Sequence, residues 1–238
     1  MEYTKINTLF KRDAKNIIIP SEYVYPEFKY LKDCKFRGEL KVDGTNIRIE
    51  LVPATDTEAP YIEFKGRNEG TDIPKSLLQT LKSLVDTEKY LEYFKEALLI
   101  DKVPVTICGE GYGKRIQKHG NAYCADHTKF IVFDIKIGKW WLTRESVESI
   151  CKELGLDIVP VMGYYTLEEA IDCVKKGFKD PIAESDLNAE GLVLKTDLGL
   201  LRRDGERIIT KIKTRDFNKF KAVYGENYTG PQPKNEYY

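Results

Sequence analysis

Six residues, Lys41-Val42-Asp43-Gly44-Thr45-Asn46, stand between two stretches that read as β-strands: Phe36-Arg37-Gly38-Glu39-Leu40 before them, and the alternating Ile47, Ile49 and Leu51 after them. Strands avoid Gly, Asp and Asn, so a break this sharp predicts a tight hairpin turn between the two. A structural turn is one reading of the stretch. The other is chemical: a lysine followed by an acid, a glycine and two small polar residues is a candidate covalent nucleophile.

The rest of the chain mixes short strands with amphipathic helices. Strand patterns recur at Tyr61-Ile62-Glu63-Phe64, Val103 to Cys108, Lys129 to Ile135, Glu190 to Lys195 and Arg207 to Lys213. The apolar run that begins at Phe130 predicts a strand buried on both faces. Between Pro74 and Leu99, apolar residues step by three and four, predicting one broken helix or two consecutive ones. Thr143 to Leu154 and Thr166 to Lys176 add two more, the latter with a Thr166-x-x-Glu169 capping box and Gly177 as its stop. Residues 1–35, interrupted by Pro20 and Pro26, read as a loop-rich lead-in without site chemistry. The expected fold is α+β, a single domain over 1–224 with 225–238 as a flexible tail.

Composition narrows the function classes. With 238 residues, 42% hydrophobic and 32% charged, the chain can bury a sizeable core, and no apolar run is long enough to cross a bilayer. The start lacks a signal-peptide pattern, and five scattered cysteines without a C-x-x-C pair argue against both a disulfide scaffold and a zinc site. The expected location is cytoplasmic. Thirty-eight basic residues balance 38 acidic ones, so any nucleic-acid surface must be local. Positions 202 to 221 offer such a locale, eight basic residues against three acids, although a solvated basic face is the blander reading.

Several pieces are ordinary taken singly. Arg67 follows a strand that ends in Gly66, where a guanidinium can hold a phosphate or simply face water. Glu110 lies in Gly109-Glu110-Gly111-Tyr112-Gly113, whose glycines permit close backbone approach to a ligand or merely make a turn. Lys211 and Lys213 are two apart on a strand, so both ammonium groups leave one face and repel each other unless an anion lies between them.

In order, Lys-x-Asp-Gly, Gly-Arg, Gly-Glu-Gly-Tyr-Gly, Phe-Asp-Ile, Glu-Gly-Leu-Val-Leu-Lys and Lys-Ile-Lys resemble motifs I, Ia, III, IIIa, IV and V of the covalent nucleotidyltransferases, the superfamily of ATP-dependent ligases and capping enzymes. Gly44-Thr45-Asn46 resembles the RNA ligase 2 branch, while Asp43 stands where RNA ligase 2 itself has His. The resemblance implies an adenylyltransferase domain of largely antiparallel sheets flanked by helices, with a nucleotide pocket between them. It implies an ATP-dependent RNA ligase that joins 3′-hydroxyl and 5′-phosphate ends of RNA or RNA/DNA strands. Lys41 would form lysyl-AMP, Lys211 and Lys213 would hold the α-phosphate, and Glu110 would take the ribose hydroxyls. Phe133 would stack on adenine, with Leu40, Val42, Asn46 and Arg67 as further nucleotide contacts. Glu190 would position Mg²⁺ or Mn²⁺, and Arg48, Lys114, Arg115, Arg202, Arg203 and Arg215 are candidate strand contacts.

Attack needs the free amine, and an ordinary lysine has a pKa of roughly 10.4, so partial burial and the cations Lys211 and Lys213 are expected to disfavour the charged form. Only 25 residues follow Lys213, so the expectation is a monomeric, minimal ligase without an added C-terminal domain, compatible with a virus-encoded, phage-like RNA repair setting. The alternatives are a small DNA ligase, a capping-type guanylyltransferase, or a binding module for RNA ends without turnover.

Overall fold

A computed structural model describes residues 3–68 and 70–225. In chain order the elements are β1 (Phe10–Arg12), β2 (Ile18–Tyr23), α1 (Glu27–Tyr30), β3 (Phe36–Leu40), β4 (Thr45–Val52) and β5 (Tyr61–Gly66). Helices α2 (Lys75–Leu84) and α3 (Thr87–Tyr93) follow, with a π-helical turn at Glu96–Ile100, and then β6 (Val105–Gly113), α4 (Gly120–Tyr123), β7 (Thr128–Ile137) and β8 (Trp140–Trp141). The remainder is α5 (Arg144–Leu154), β9 (Val161–Tyr165), α6 (Leu167–Lys176), β10 (Gly191–Lys195), β11 (Ile209–Lys213) and α7 (Thr214–Tyr224). The named strands pair antiparallel, as an α+β reading expects. Among the described residues no helix is long and apolar enough to cross a membrane.

The chain forms two compact units. The first comprises residues 1–4, 42–159 and 182–187. Its five-stranded sheet runs β5-β4-β6-β7-β8. Ile47, Ile49 and Leu51 of β4 enter one core with Ile107, Val132 and Ile135, covered by Leu77 and Leu81 of α2 and by Val147, Cys151 and Leu154 of α5. The helical expectation for 74–99 resolves as two helices plus the π turn. Asp86 caps α3 by accepting from the Lys89 amide.

The second unit comprises residues 5–41, 160–181 and 188–238, of which 226–238 lie outside the described residues, and with them nearly all of the expected tail. Its four-stranded sheet runs β11-β10-β3-β9. Strand alternation gives this sheet two different faces. Phe36, Leu192, Leu194 and Ile212 join a core with Leu167, Ala170 and Val174 of α6 and Phe217 and Phe220 of α7. The opposite face carries Arg37, Glu39, Lys41, Lys195, Lys211 and Lys213, as the registers Leu40↔Leu192↔Ile212 and Arg37↔Lys195 require.

Three sequence expectations are corrected. Lys41 to Asn46 is no hairpin turn: β3 and β4 belong to different sheets, and the stretch is a crossover between them. Residues 1–35 are not merely loops, since β1 and β2 form a hairpin and the segment before it runs along β11, with Thr8 bridging Lys211 in parallel. Pro20 is accommodated inside β2, a two-stranded ribbon where one missing donor is tolerated. Gly109 to Gly113 is no turn either; it is the end of β6, paired with β7 throughout and with β4 as far as Gly111. Helix α7 was hidden in the sequence by its high charge, although it buries Phe217 and Phe220.

Helix α6 has the reciprocal cap that its sequence predicts: the Thr166 hydroxyl accepts from the Glu169 amide, and the Glu169 carboxylate accepts from the Thr166 amide. Thr166→Ala is expected to cost about 1 kcal/mol, read as a lower midpoint in denaturant with an unchanged slope. A loss below a few tenths would mean that the box adds nothing beyond helix packing.

Candidate active site

The charged face of the second unit's sheet is mostly shielded from water. Lys41 extends from the end of β3, and its ammonium donates to Glu190 Oε2 at 2.5 Å. Lys213 reaches the other oxygen, Oε1, at 2.7 Å. The three side chains are 18%, 12% and 11% exposed, in the order Lys41, Glu190, Lys213. Backbone pairing fixes them: the Lys41 amide donates to the Gly191 carbonyl at 3.0 Å, and the Thr214 amide donates to the Glu190 carbonyl at 3.0 Å. Gly191 is required here, since its φ is +152° and a Cβ would lie 1.9 Å from the Ile212 carbonyl oxygen.

Burial raises the Glu190 pKa, but the charge of Lys41 and hydrogen bonds from Lys213 and Lys41 outweigh it and leave the carboxyl below its usual range. Lys213 is pushed below the usual lysine range, first by burial and then by the charge of Lys41, against the attraction of Glu190. Lys211 shares the face, and its backbone is held from both directions: its carbonyl accepts from the Leu9 amide and its amide donates to the Asn7 carbonyl.

A second network on the same face was not foreseen. Glu39, 1% exposed, accepts from Arg37 Nε at 3.0 Å and is paired with Lys195 Nζ at 2.7 Å, while Arg37 also pairs with Asp197. The available signal was periodicity, for Arg37, Glu39 and Lys41 alternate along one strand. Five cations (Arg37, Lys41, Lys195, Lys211, Lys213) and three carboxylates (Glu39, Glu190, Asp197) make this face two charges positive, a surplus suited to an anionic ligand.

The first unit carries the other expected nucleotide residues. Asn46 and Glu110 stand directly opposite each other in the β4–β6 register, so both leave the same face. The Asn46 Oδ1 atom is buried without a hydrogen-bond partner, an acceptor that costs energy unless a donor arrives. Gly44 must be glycine, because a Cβ would lie 2.3 Å from the Gly111 carbonyl oxygen. A β-bulge at Cys108/Gly109 sets Phe133 between Val132 and Asp134 at the shift of register, and its ring meets that of Tyr3 edge-on with centroids 5.2 Å apart. Asp43 is paired with His119 at 3.0 Å, and its amide donates to the Tyr123 hydroxyl at 3.2 Å. Val42 is buried and Arg67 half-buried at the end of β5. Leu40 projects from the face of its sheet opposite to Lys41, so its side chain is a core contact.

The strand-contact set needs correction at Arg48. That residue is 0% exposed, donates to the Gly66 carbonyl at 3.1 Å and pairs with Glu50 at 2.5 Å, so it cannot meet a polynucleotide. The segment 202–221 is also not one basic strip. Arg202 stacks 3.8 Å from the Tyr25 ring centroid and pairs with Asp204, Lys211 and Lys213 belong to the sheet, and Asp216 is buried against Arg12. Arg203 and Arg215 are exposed, as are Lys114 and Arg115 beyond β6.

The sequence profile of the RNA ligase family matches residues 35–213, and the chain belongs to that family. No curated protein matches it. Among solved structures it is similar to a mutant of the Naegleria gruberi RNA ligase with AMP and Mn, at 19% identity and a TM-score of 0.59, covering 92% of this chain and 57% of that one. The same ligase with PPi gives the same figures, and a mutant with ATP and Mn differs only in that 58% of that chain is covered. At this identity the likeness establishes the fold. The present chain spans under three-fifths of the ligase it resembles.

Proposed function

We propose that the chain is an ATP-dependent RNA ligase whose Lys41 takes AMP. The observation that carries this reading is the convergence of Lys41 and Lys213 on the two oxygens of Glu190, on a sheet face with two surplus positive charges. In the first step the Lys41 nitrogen forms a bond to the α-phosphorus of ATP, the bond from that phosphorus to the bridging oxygen breaks, and pyrophosphate leaves with its electron pair. The amine gives up a proton to solvent. Lys213 and Lys211 offset the charge that accumulates on the α-phosphate oxygens, where fixed cations in a water-poor site act most strongly.

On the first unit, Glu110 and the orphaned Asn46 Oδ1 offer acceptors for ribose hydroxyls, and Phe133 offers its ring to adenine. Val42 and Arg67 complete the nucleotide contacts. A 5′-phosphate oxygen then takes AMP from Lys41, and a 3′-hydroxyl displaces AMP to form the phosphodiester. Arg203 and Arg215 on the second unit and Lys114 and Arg115 on the first are the exposed cations assigned to the strand, with Arg202, stacked on Tyr25, as a further contact.

A divalent ion fits this residue set in one way. Among the described residues no cluster of three or more His, Cys, Asp or Glu side chains could hold a metal, and Glu190 is the one carboxylate between the lysines. Mg²⁺ commonly keeps several waters and binds through one or two carboxylates plus substrate phosphates; Glu190 would be that carboxylate. When bound, the ion supplies charge neutralisation for the phosphates.

Incubating AMP-free protein with ATP and Mg²⁺ is expected to raise its intact mass by one AMP, reversibly on addition of pyrophosphate. An unchanged mass would overturn the proposal.

A further inference from the structure

Within the first unit, helix α2 and the turn after β6 face each other across an open cleft of about 770 Å³. One wall is a row of uncharged hydrogen-bonding side chains, Ser76, Gln79, Thr80 and Ser83, spaced i, i+3, i+4 and i+7 so that they form one stripe along the helix. The other wall presents Lys114 and Arg115. Neither cation has an ion-pair partner among the described residues.

The turn that carries these cations is held in an unfavourable shape. Arg115 and Gln117 have φ of +60° and +55°, in the left-handed region that non-glycine residues seldom occupy. The surrounding structure enforces it through three bonds. The Lys114 amide donates to the His127 carbonyl, the Ile116 amide to the Gly113 carbonyl, and the Arg115 amide to Asn121 Oδ1, each at 2.9 Å. Between the two strained residues Ile116 is buried as an anchor, 4% exposed. Strain kept in this way is expected where the position of a side chain matters more than local stability.

We propose that this cleft binds a single RNA strand by its sugar-phosphate backbone. The assignment rests on the reading of the chain as an RNA ligase. Lys114 and Arg115 would take phosphates, and the hydroxyl and amide stripe would meet 2′-hydroxyls, which both donate and accept. The lining holds no Phe, Tyr or Trp, and Leu84 is its one large apolar side chain, so beyond the His127 imidazole and the Arg115 guanidinium the cleft offers a base little to stack on and recognition falls mainly to the backbone. From Ser76 to Ser83 the stripe makes seven helical steps, about 10 Å at 1.5 Å per residue, longer than one phosphate and matched to consecutive nucleotides. Asp126 is the single acid in the lining, leaving one net positive charge before His127 is counted.

The test is equilibrium anisotropy with a single-stranded RNA bearing a 5′-hydroxyl and a 3′-phosphate, ends that cannot be joined. The double variant Gln79→Glu with Ser83→Glu puts two carboxylates on the exposed helix face, and its affinity is expected to fall at least tenfold. Lys114→Gln with Arg115→Asn is chosen because Asn tolerates a left-handed backbone, and it should reduce the slope of log affinity against log salt by about 1.4, or 0.7 per lost phosphate contact. Affinities within twofold of the parent in both variants would overturn the assignment. A DNA strand of the same sequence that binds as tightly as the RNA would overturn the role given to the hydroxyl stripe. AMP uptake by the parent chain reports on the ligase reading separately, so either conclusion can fail alone.

Discussion

Lys41→Ala is expected to leave no AMP adduct, and Lys213→Ala to slow adduct formation on the order of 10²–10³-fold with the fold intact. The two losses have different origins. Lys41 supplies the nitrogen that bonds to phosphorus, and no neighbour can replace it: Lys213 is held on the opposite oxygen of Glu190 and Lys211 lies further along the strand. Lys213 forms no bond to phosphorus in this scheme, and its contribution is electrostatic, so its removal lowers the rate without removing the acceptor. A pH profile separates a charge role from a packing role. Burial and Lys41 hold the Lys213 pKa below the usual lysine range, so its charge is lost as pH rises through that lowered value. Adduct formation should therefore decline on the alkaline side before an ordinary lysine would titrate, and Lys213→Arg, charged throughout, should lack that decline. Normal adduct formation in Lys213→Ala would sink the assignment of the phosphate contact, and an adduct in Lys41→Ala would sink the nucleophile.

Much of this site was legible because strands translate sequence period directly into shared faces. Lys211 and Lys213 fall on one face by counting alone, and the sheet confirms it. Glu190 was legible as an acid before a strand, but its place between two lysines was not, since that depends on β3, β10 and β11 lying side by side across 150 residues and more of chain. Fold class was legible from the mixture of periods two and 3.6. The crossover at Lys41 was misread because a polar break between two strands looks the same whether the strands pair or part; only long-range partners decide, here β10 and β9 for β3, and β5 and β6 for β4. The lead-in was undervalued for a similar reason. Its worth lies in backbone bonds from Asn7 and Leu9 to β11, and backbone groups leave no trace in side-chain pattern.

Arg48 is the clearest case of a residue whose type misleads, and Arg48→Met is expected to destabilise the protein by about 3 kcal/mol, the low end for breaking a buried ion pair. At 0% exposure the guanidinium forfeits hydration, recovering part through Glu50 and the Gly66 carbonyl. Its NH2 nitrogen is buried with no hydrogen-bond partner, so the residue is not optimally satisfied and its removal should cost less than the upper range. Glu50 would keep Lys65, whose ammonium lies 3.1 Å from Oε2 and is a third exposed. Burial raises the Glu50 pKa, but the Lys65 hydrogen bond and the Arg48 charge outweigh it and hold the group below its usual value. A carboxyl depressed on folding stabilises above its unfolded pKa, and that stabilisation is lost as pH falls through the folded one. The gap between parent and variant should accordingly be widest near neutrality and narrow as pH drops through the carboxylate range. Pairing Arg48→Met with Glu50→Met should recover most of the loss, because two apolar side chains of similar volume leave no unpaired charge behind. A double variant as unstable as the single one would show that the guanidinium holds β4 to β5 chiefly through the Gly66 carbonyl, and a gap that did not change with pH would remove Glu50 from the account.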